Sequence, residues 1–215
     1  SDTETLLAGF EIWGIKKTLA KIVGMFSIAL WEGESNTLHL IRDRFGEKPL
    51  YYGWMNTGQE KVFAFGSELK AFRAYPGFQN NISRDALTQY VKYVPAPYSL
   101  FEGIYKLEPG CILSMNEPPK GEPTHAFHMQ DDESICFDGL KISKWYRFKE
   151  VVSKCANEQI KDEHEASELL EAQLNETIQM QSLADVPLGA FLSGGVDSSA
   201  IVALMQNQRT DPIKT

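Results

Sequence analysis

The sequence predicts an α+β region over residues 1–150, followed by the opening of a parallel α/β domain over residues 151–215. Two observations carry this. Apolar spacing is helical at the start and changes to strand-like runs from Met25 onward,. Beyond a boundary near Lys149–Gln159, the order is helix, short apolar run, glycine turn, helix, which is how a parallel-sheet domain begins,.

Leu6, Leu7, Phe10 and Trp13 place a first helix over Thr3–Trp13, with Asp2 or Thr3 as its cap,. A second short helix covers Ile15–Ile22. Met25–Trp31 and Thr37–Arg42 read as paired strands joined by the loop Glu32–Asn36,. Strands at Leu50–Trp54 and Val62–Phe65 follow, with a turn at Asn56-Thr57-Gly58. Helices are expected at Ser67–Ala74 and Ser83–Tyr93. From Pro95 to Trp145 prolines and glycines break the pattern, leaving short strands at Gly103–Leu107, Cys111–Met115 and Lys144–Phe148 among long loops,. Ala166, Leu169, Leu170, Leu174, Ile178 and Leu183 form one stripe of a helix over Asp162–Leu183,. The apolar run Val186–Leu192 suits a strand buried on both faces, and a helix over Ser198–Gln206 follows it,.

With 43% hydrophobic and 23% charged residues, the 215-residue chain excludes disordered, collagen-like and disulfide-framework classes,. The net charge of −8 disfavours nucleic acid as a partner,. Between Cys155 and Asp185 eight acids face one base, Lys161, as expected of the solvated face of a helix,. No apolar run approaches the ~18 residues of a membrane span. Three cysteines without a CxxC pair, and a start lacking signal-peptide character, point to a reduced cytoplasmic setting,. His125 and His128 have HxxH spacing near Cys136 but no second ligand pair, so a surface loop is favoured over a metal site,.

The chemistry resides in Ser193-Gly194-Gly195-Val196-Asp197-Ser198-Ser199. Two glycines let the backbone approach a ligand closely. Unpaired N–H groups at the following helix start, with the macrodipole behind them, favour an anion such as phosphate. No GxxxxGK[ST] pattern is present, so this is not a Walker A loop. A carboxylate inside a phosphate cradle requires a bridging cation, so Asp197 implies Mg²⁺.

This heptad resembles the pyrophosphate loop of the ATP pyrophosphatase group, which includes asparagine, GMP and NAD synthetases. Arg42-Asp43-Arg44-Phe45-Gly46-Glu47-Lys48-Pro49-Leu50-Tyr51-Tyr52 and Ser67-Glu68-Leu69-Lys70-Ala71-Phe72 narrow the resemblance to glutamine-hydrolysing asparagine synthetases, as does Asp185–Gly189. Read on its own residues, the first segment is architecture: Arg42 and Asp43 end a strand, Gly46 turns the chain, and Pro49 begins the next edge strand. The resemblance implies the C-terminal part of an N-terminal-nucleophile (Ntn) hydrolase α-β-β-α sandwich, then the start of a Rossmann-like ATP pyrophosphatase domain. It implies ATP and Mg²⁺, with ATP held by Leu192, Ser193, Gly194, Gly195, Asp197, Ser198 and Ser199, and the metal by Asp197. Ser1-Asp2 matches an internal family segment in which the aspartate holds the amino group of glutamine, so Asp2 is the expected glutamine-binding residue. The family's cysteine nucleophile has no match here and is expected upstream of Ser1. Ser1 itself is rejected as nucleophile, and the chain is expected to be an internal fragment without activity of its own.

The expected activity of the parent is glutamine-dependent amidation of adenylated aspartate, with release of AMP and pyrophosphate. Two alternatives stand beside it: the same fold acting on a sugar or secondary-metabolite carboxylate, and a non-catalytic binding protein. Glutamine and a carboxylate acceptor are the expected partners, with no membrane, and a homodimer is compatible with the reading.

Overall fold

A computed structural model describes residues 1–56, 61–79, 81–89, 94–129 and 134–215. It divides the chain into two compact units, Ser1–Val151 and Val152–Thr215.

The first unit starts with helix α1 (Asp2–Trp13), capped by Ser1 in a capping box with Glu4. The cap is thus one or two residues earlier than the expected Asp2 or Thr3, because a serine followed three residues on by glutamate satisfies two orphan donors at once. Gly14 separates α1 from α2 (Ile15–Lys21). Strands β1 (Ser27–Glu32) and β2 (Thr37–Arg42) form a hairpin, pairing Ser27 with Arg42 and Glu32 with Thr37. Strands β3 (Tyr51–Asn56) and β4 (Lys61–Gly66) form a second antiparallel pair. Helices α3 (Leu69–Arg73) and α4 (Arg84–Gln89) follow, then β5 (Ile104–Lys106) and β6 (Cys111–Met115). Tyr90–Tyr93 of the expected fourth helix, and Thr57 and Gly58 of the expected turn, lie outside the described residues.

Strands β7 (Ile135–Phe137) and β8 (Leu140–Lys144) complete the unit. The expected strand at Lys144–Phe148 is displaced: only Lys144 belongs to a strand, and Phe148 opens helix α5 (Phe148–Cys155). The reason is the two-residue turn Asp138-Gly139, with φ of 44° and 83°, which pairs Phe137 with Leu140 and sets the register before Lys144,.

All strand pairs in these two sheets are antiparallel, in the orders β1-β2-β6-β8-β7 and β4-β3-β5. Alternation splits the larger sheet's residues between two faces. Leu40, Leu113 and Ile142 join Tyr52 and Trp54 of the smaller sheet in the central core. On the opposite face Ile41 and Ile112 pack under Leu19, Phe10 and Ile22 from the α1–α2 region. The outer face of the smaller sheet, through Met55 and Ile104, meets Phe72 and Leu69 of α3. The layer order is therefore helix, sheet, sheet, helix.

A buried ionic turn joins these layers. Asp43 is 0% exposed, and its carboxylate accepts the N–H groups of Phe45 (3.1 Å), Glu47 (2.9 Å), Lys48 (2.9 Å) and Phe26 (3.3 Å). Its backbone carbonyl accepts from Gly110 at 2.8 Å. The neighbouring Arg42 guanidinium donates to the carbonyls of Lys48 (2.8 Å), Leu107 (2.5 Å) and Gly46 (2.6 Å). Gly46 has φ of 69°, and a Cβ there would meet Arg42 Cζ at 2.8 Å, so both conformation and space require glycine,. Arg44 donates to the carbonyls of Leu19 and Ile22 at the end of α2, and its guanidinium lies over the Trp145 ring,. Every side chain of the Arg42-Asp43-Arg44 triplet thus binds backbone.

The second unit contains α6 (Glu163–Gln181) and α7 (Val196–Asn207), with Gln208 Nε2 donating to the Asn175 carbonyl at 3.0 Å. Asp162 caps α6. The acidic residues from Glu158 to Asp185 are all exposed. The apolar stripe is only partly covered, with Ile178 buried and Leu169, Leu170 and Leu183 exposed. The expected buried strand Val186–Leu192 is not formed. A parallel strand needs neighbours and cover on both faces. Here the segment makes one parallel bridge, Gly189 to Lys214, while Val186 is 70% and Phe191 100% exposed. Among the described residues no helix is long and apolar enough to cross a membrane.

Two outcomes test this fold. Asp43→Asn removes one of two acceptor oxygens and sets an NH₂ against N–H donors, so a loss of roughly 3–5 kcal/mol in urea unfolding is expected. Burial pushes the Cys111 thiol up to about 12, whereas Cys136 and Cys155 are exposed. A thiol reagent should therefore modify two cysteines in the native protein and a third only on unfolding.

Candidate functional site

The glycine loop Ser193–Gly195 leads directly into α7. Gly194 takes φ of 83°, in the left-handed region open to glycine,. Gly195 is the N-cap residue, extended at φ −79° and ψ 163°, and no side chain caps the helix. The N–H groups of the first turn therefore face outward with the positive end of the helix dipole behind them. The helix starts at Val196, two residues earlier than the spacing suggests, so Asp197 and Ser198 lie within its first turn.

The three hydroxyls bond within the loop. Ser193 Oγ and Ser198 Oγ are 3.0 Å apart. Ser198 and Ser199 donate to the Gly195 carbonyl at 3.1 and 2.8 Å. Backbone N–H groups, and not hydroxyls, are thus the donors left open here. Asp197 is exposed beside them, and Leu192 is half-exposed just before the loop. Chemically, this is an anion-accepting helix start with one carboxylate at its rim.

Asp2 belongs to the first unit. It is exposed in the first turn of α1, and one oxygen accepts the Thr3 N–H at 2.8 Å. Ser1 is engaged in capping: its hydroxyl accepts from Glu4, and its amino group lies 3.4 Å from the Glu4 carboxylate. His128 contacts the Tyr98 hydroxyl at 3.0 Å and lies 3.8 Å from Glu108. Among the described residues no cluster of three or more His, Cys, Asp or Glu side chains is disposed for a metal.

Sequence reasoning did not single out Asp43 as a buried acceptor. The alternation of bases and acid in Arg42-Asp43-Arg44, followed by Gly46, is the signal that a charged turn could have provided.

The anion-accepting helix start defines a class of site, and comparison with known proteins supplies the family. A model described as glutamine amidotransferase domain matches residues 1–127, and one described as asparagine synthase matches residues 169–215. A putative glutamine-hydrolyzing asparagine synthetase of Mycobacterium tuberculosis (strain ATCC 25618 / H37Rv) is 31% identical over 205 residues, covering 94% of this chain and 28% of that protein. The glutamine-hydrolyzing asparagine synthetase 1 of Bacillus subtilis (strain 168) is 32% identical over 208 residues, covering 95% and 28%. Amidase chry2 of Gibberella zeae is 28% identical over 207 residues, covering 96% and 27%. The chain belongs to the glutamine amidotransferase domain family. It spans little more than a quarter of the length of these relatives.

Proposed function

We propose that this chain is part of a glutamine-dependent, ATP-driven carbon–nitrogen ligase of the asparagine synthetase type, working in the cytoplasm. In this reading the first unit belongs to an Ntn-type glutaminase and the second opens a Rossmann-like ATP pyrophosphatase domain. Glutamine supplies ammonia, and an adenylated aspartate receives it. The observation that carries the reading is the uncapped start of α7 behind Gly194-Gly195, inside the stretch matched by the asparagine synthase model.

Each residue then has a role that its chemistry supports. The first-turn N–H groups of α7 bind phosphate oxygens, and Gly194 and Gly195 leave room for them. Ser193, Ser198 and Ser199 turn their hydroxyls from the loop to the ligand. Leu192 lies against the adenosine. Mg²⁺ suits a single carboxylate, because it keeps several waters and shares substrate phosphates, so the lone Asp197 fits it without a protein cage. Bound there, the ion would neutralise charge on the departing pyrophosphate. Asp2, exposed on the first turn of α1, supplies a carboxylate for the amino group of glutamine.

A second reading changes only the acceptor. The match to a protein named an amidase favours it, since that relative aligns over 96% of the chain under a different name. Pyrophosphate release measured with aspartate and with other carboxylates separates the two.

Asp197→Asn in the full-length enzyme is the direct test. Acceptor-dependent pyrophosphate release should fall by roughly 100-fold or more, on the scale of the several kcal/mol a phosphate-bound metal supplies. Glutamine hydrolysis should persist. Retained pyrophosphate release would reduce Asp197 to a helix-terminal charge.

A further inference from the structure

On the helix-facing side of the larger sheet, three strands bring together a polar group that the proposed activity does not use. His39 of β2 faces Ser114 of β6 in register, and its Nδ1 lies 2.8 Å from Ser114 Oγ. Its other nitrogen, Nε2, is buried with no hydrogen-bond partner. The Glu32 carboxylate at the end of β1 lies 3.9 Å from that nitrogen, just beyond bonding reach. Glu32 is held instead by the Ser35 hydroxyl at the hairpin tip.

Ser35 has a second partner for the same hydroxyl, Thr37 Oγ1 at 2.8 Å. Its carbonyl accepts from the Asn116 side chain at 3.1 Å, beyond the end of β6. Releasing Glu32 therefore leaves Ser35 satisfied and the tip anchored. We propose that His39 is a proton-operated latch on the β1–β2 hairpin: neutral, it leaves Glu32 to Ser35, and protonated, it draws Glu32 to itself.

The balance of charges supports a latch that closes on acidification. A protonated ring donates from both nitrogens, so Nδ1–H meets Ser114 and Nε2–H meets Glu32. Burial lowers the His39 pKa, and Glu32 acts against it,. On this face β1 presents Glu32, and β8 places Lys141 opposite Ser114, one strand further from His39. From the α1–α2 region, Phe10 and Leu19 pack on this face against Ile41 and Ile112. Because the folded pKa is depressed, the unfolded chain takes up this proton first. His39 therefore lowers stability as pH falls from the ordinary imidazole range to its folded pKa, and its effect is constant below that.

Histidine ring resonances followed by NMR across a pH series of the 215-residue chain test the proposal. The Ser35 amide and Asn116 side-chain amide should shift with the His39 midpoint. Glu32→Gln should lower that midpoint by roughly half a pH unit or more, and Ser35→Ala, which frees Glu32, should raise it. If Glu32→Gln does not fold, Ser35→Ala decides alone. A His39 midpoint indifferent to these substitutions, or Ser35 and Asn116 resonances that ignore it, overturns the latch.

Discussion

A buried carboxylate with four N–H donors closes the first unit. Asp43 stands where β2 ends, and it gathers amides from the segment just before β1, through Phe26, and from the turn after β2, through Phe45, Glu47 and Lys48. An unpaired buried charge would be strongly unfavourable, so the turn exists only with these donors in place. Arg42 supplies the opposite charge and binds three carbonyls of the same turn and of the chain after β5. Arg44 then reaches back to the end of α2. One short segment thus holds the helix layer, the larger sheet and the approach to β6 in a single geometry.

The second unit rests on different physics. Its glycine loop is exposed, its helix start is uncapped, and its serines bond to one another and to the Gly195 carbonyl. No residue of Ser193–Ser199 is buried. The loop's geometry instead follows from Gly194 in a left-handed conformation and from the first turn of α7. A buried ionic turn and an exposed glycine loop are therefore separate features of the chain, each local to its unit.

Much of this was legible from the residues. The spacing of Leu6, Phe10 and Trp13 located α1, and the β1–β2 hairpin followed from two apolar runs around a polar loop. The architectural reading of Arg42–Tyr52 agrees with the side chains binding backbone, except at Pro49: β3 begins only at Tyr51 and pairs with β4 and β5 on its two sides, so Pro49 precedes a central strand and does not begin an edge strand. The misses have physical causes. Strands β7 and β8 hide in a proline-rich stretch, where only the Asp138-Gly139 pair announces a tight hairpin,. Val186–Leu192 looks like a buried strand because apolar content says that a segment prefers burial, not that partners are present. Asp43 was invisible as an organiser because Phe26 and Gly110, two of its partners, are distant in sequence. Asp2 and the loop residues were singled out through motif and resemblance, while the inward turn of the serine hydroxyls follows from the folded loop.

The most direct measurement is native-state hydrogen exchange of the four amides that Asp43 accepts. If the carboxylate holds the unit together, the Phe26, Phe45, Glu47 and Lys48 amides exchange only through global unfolding, with the same free energy as core amides such as Leu40 and Leu113. Exchange of these four through a low-energy local opening, while the sheet core stays protected, would show that the turn is a dependent ornament and contradict the account.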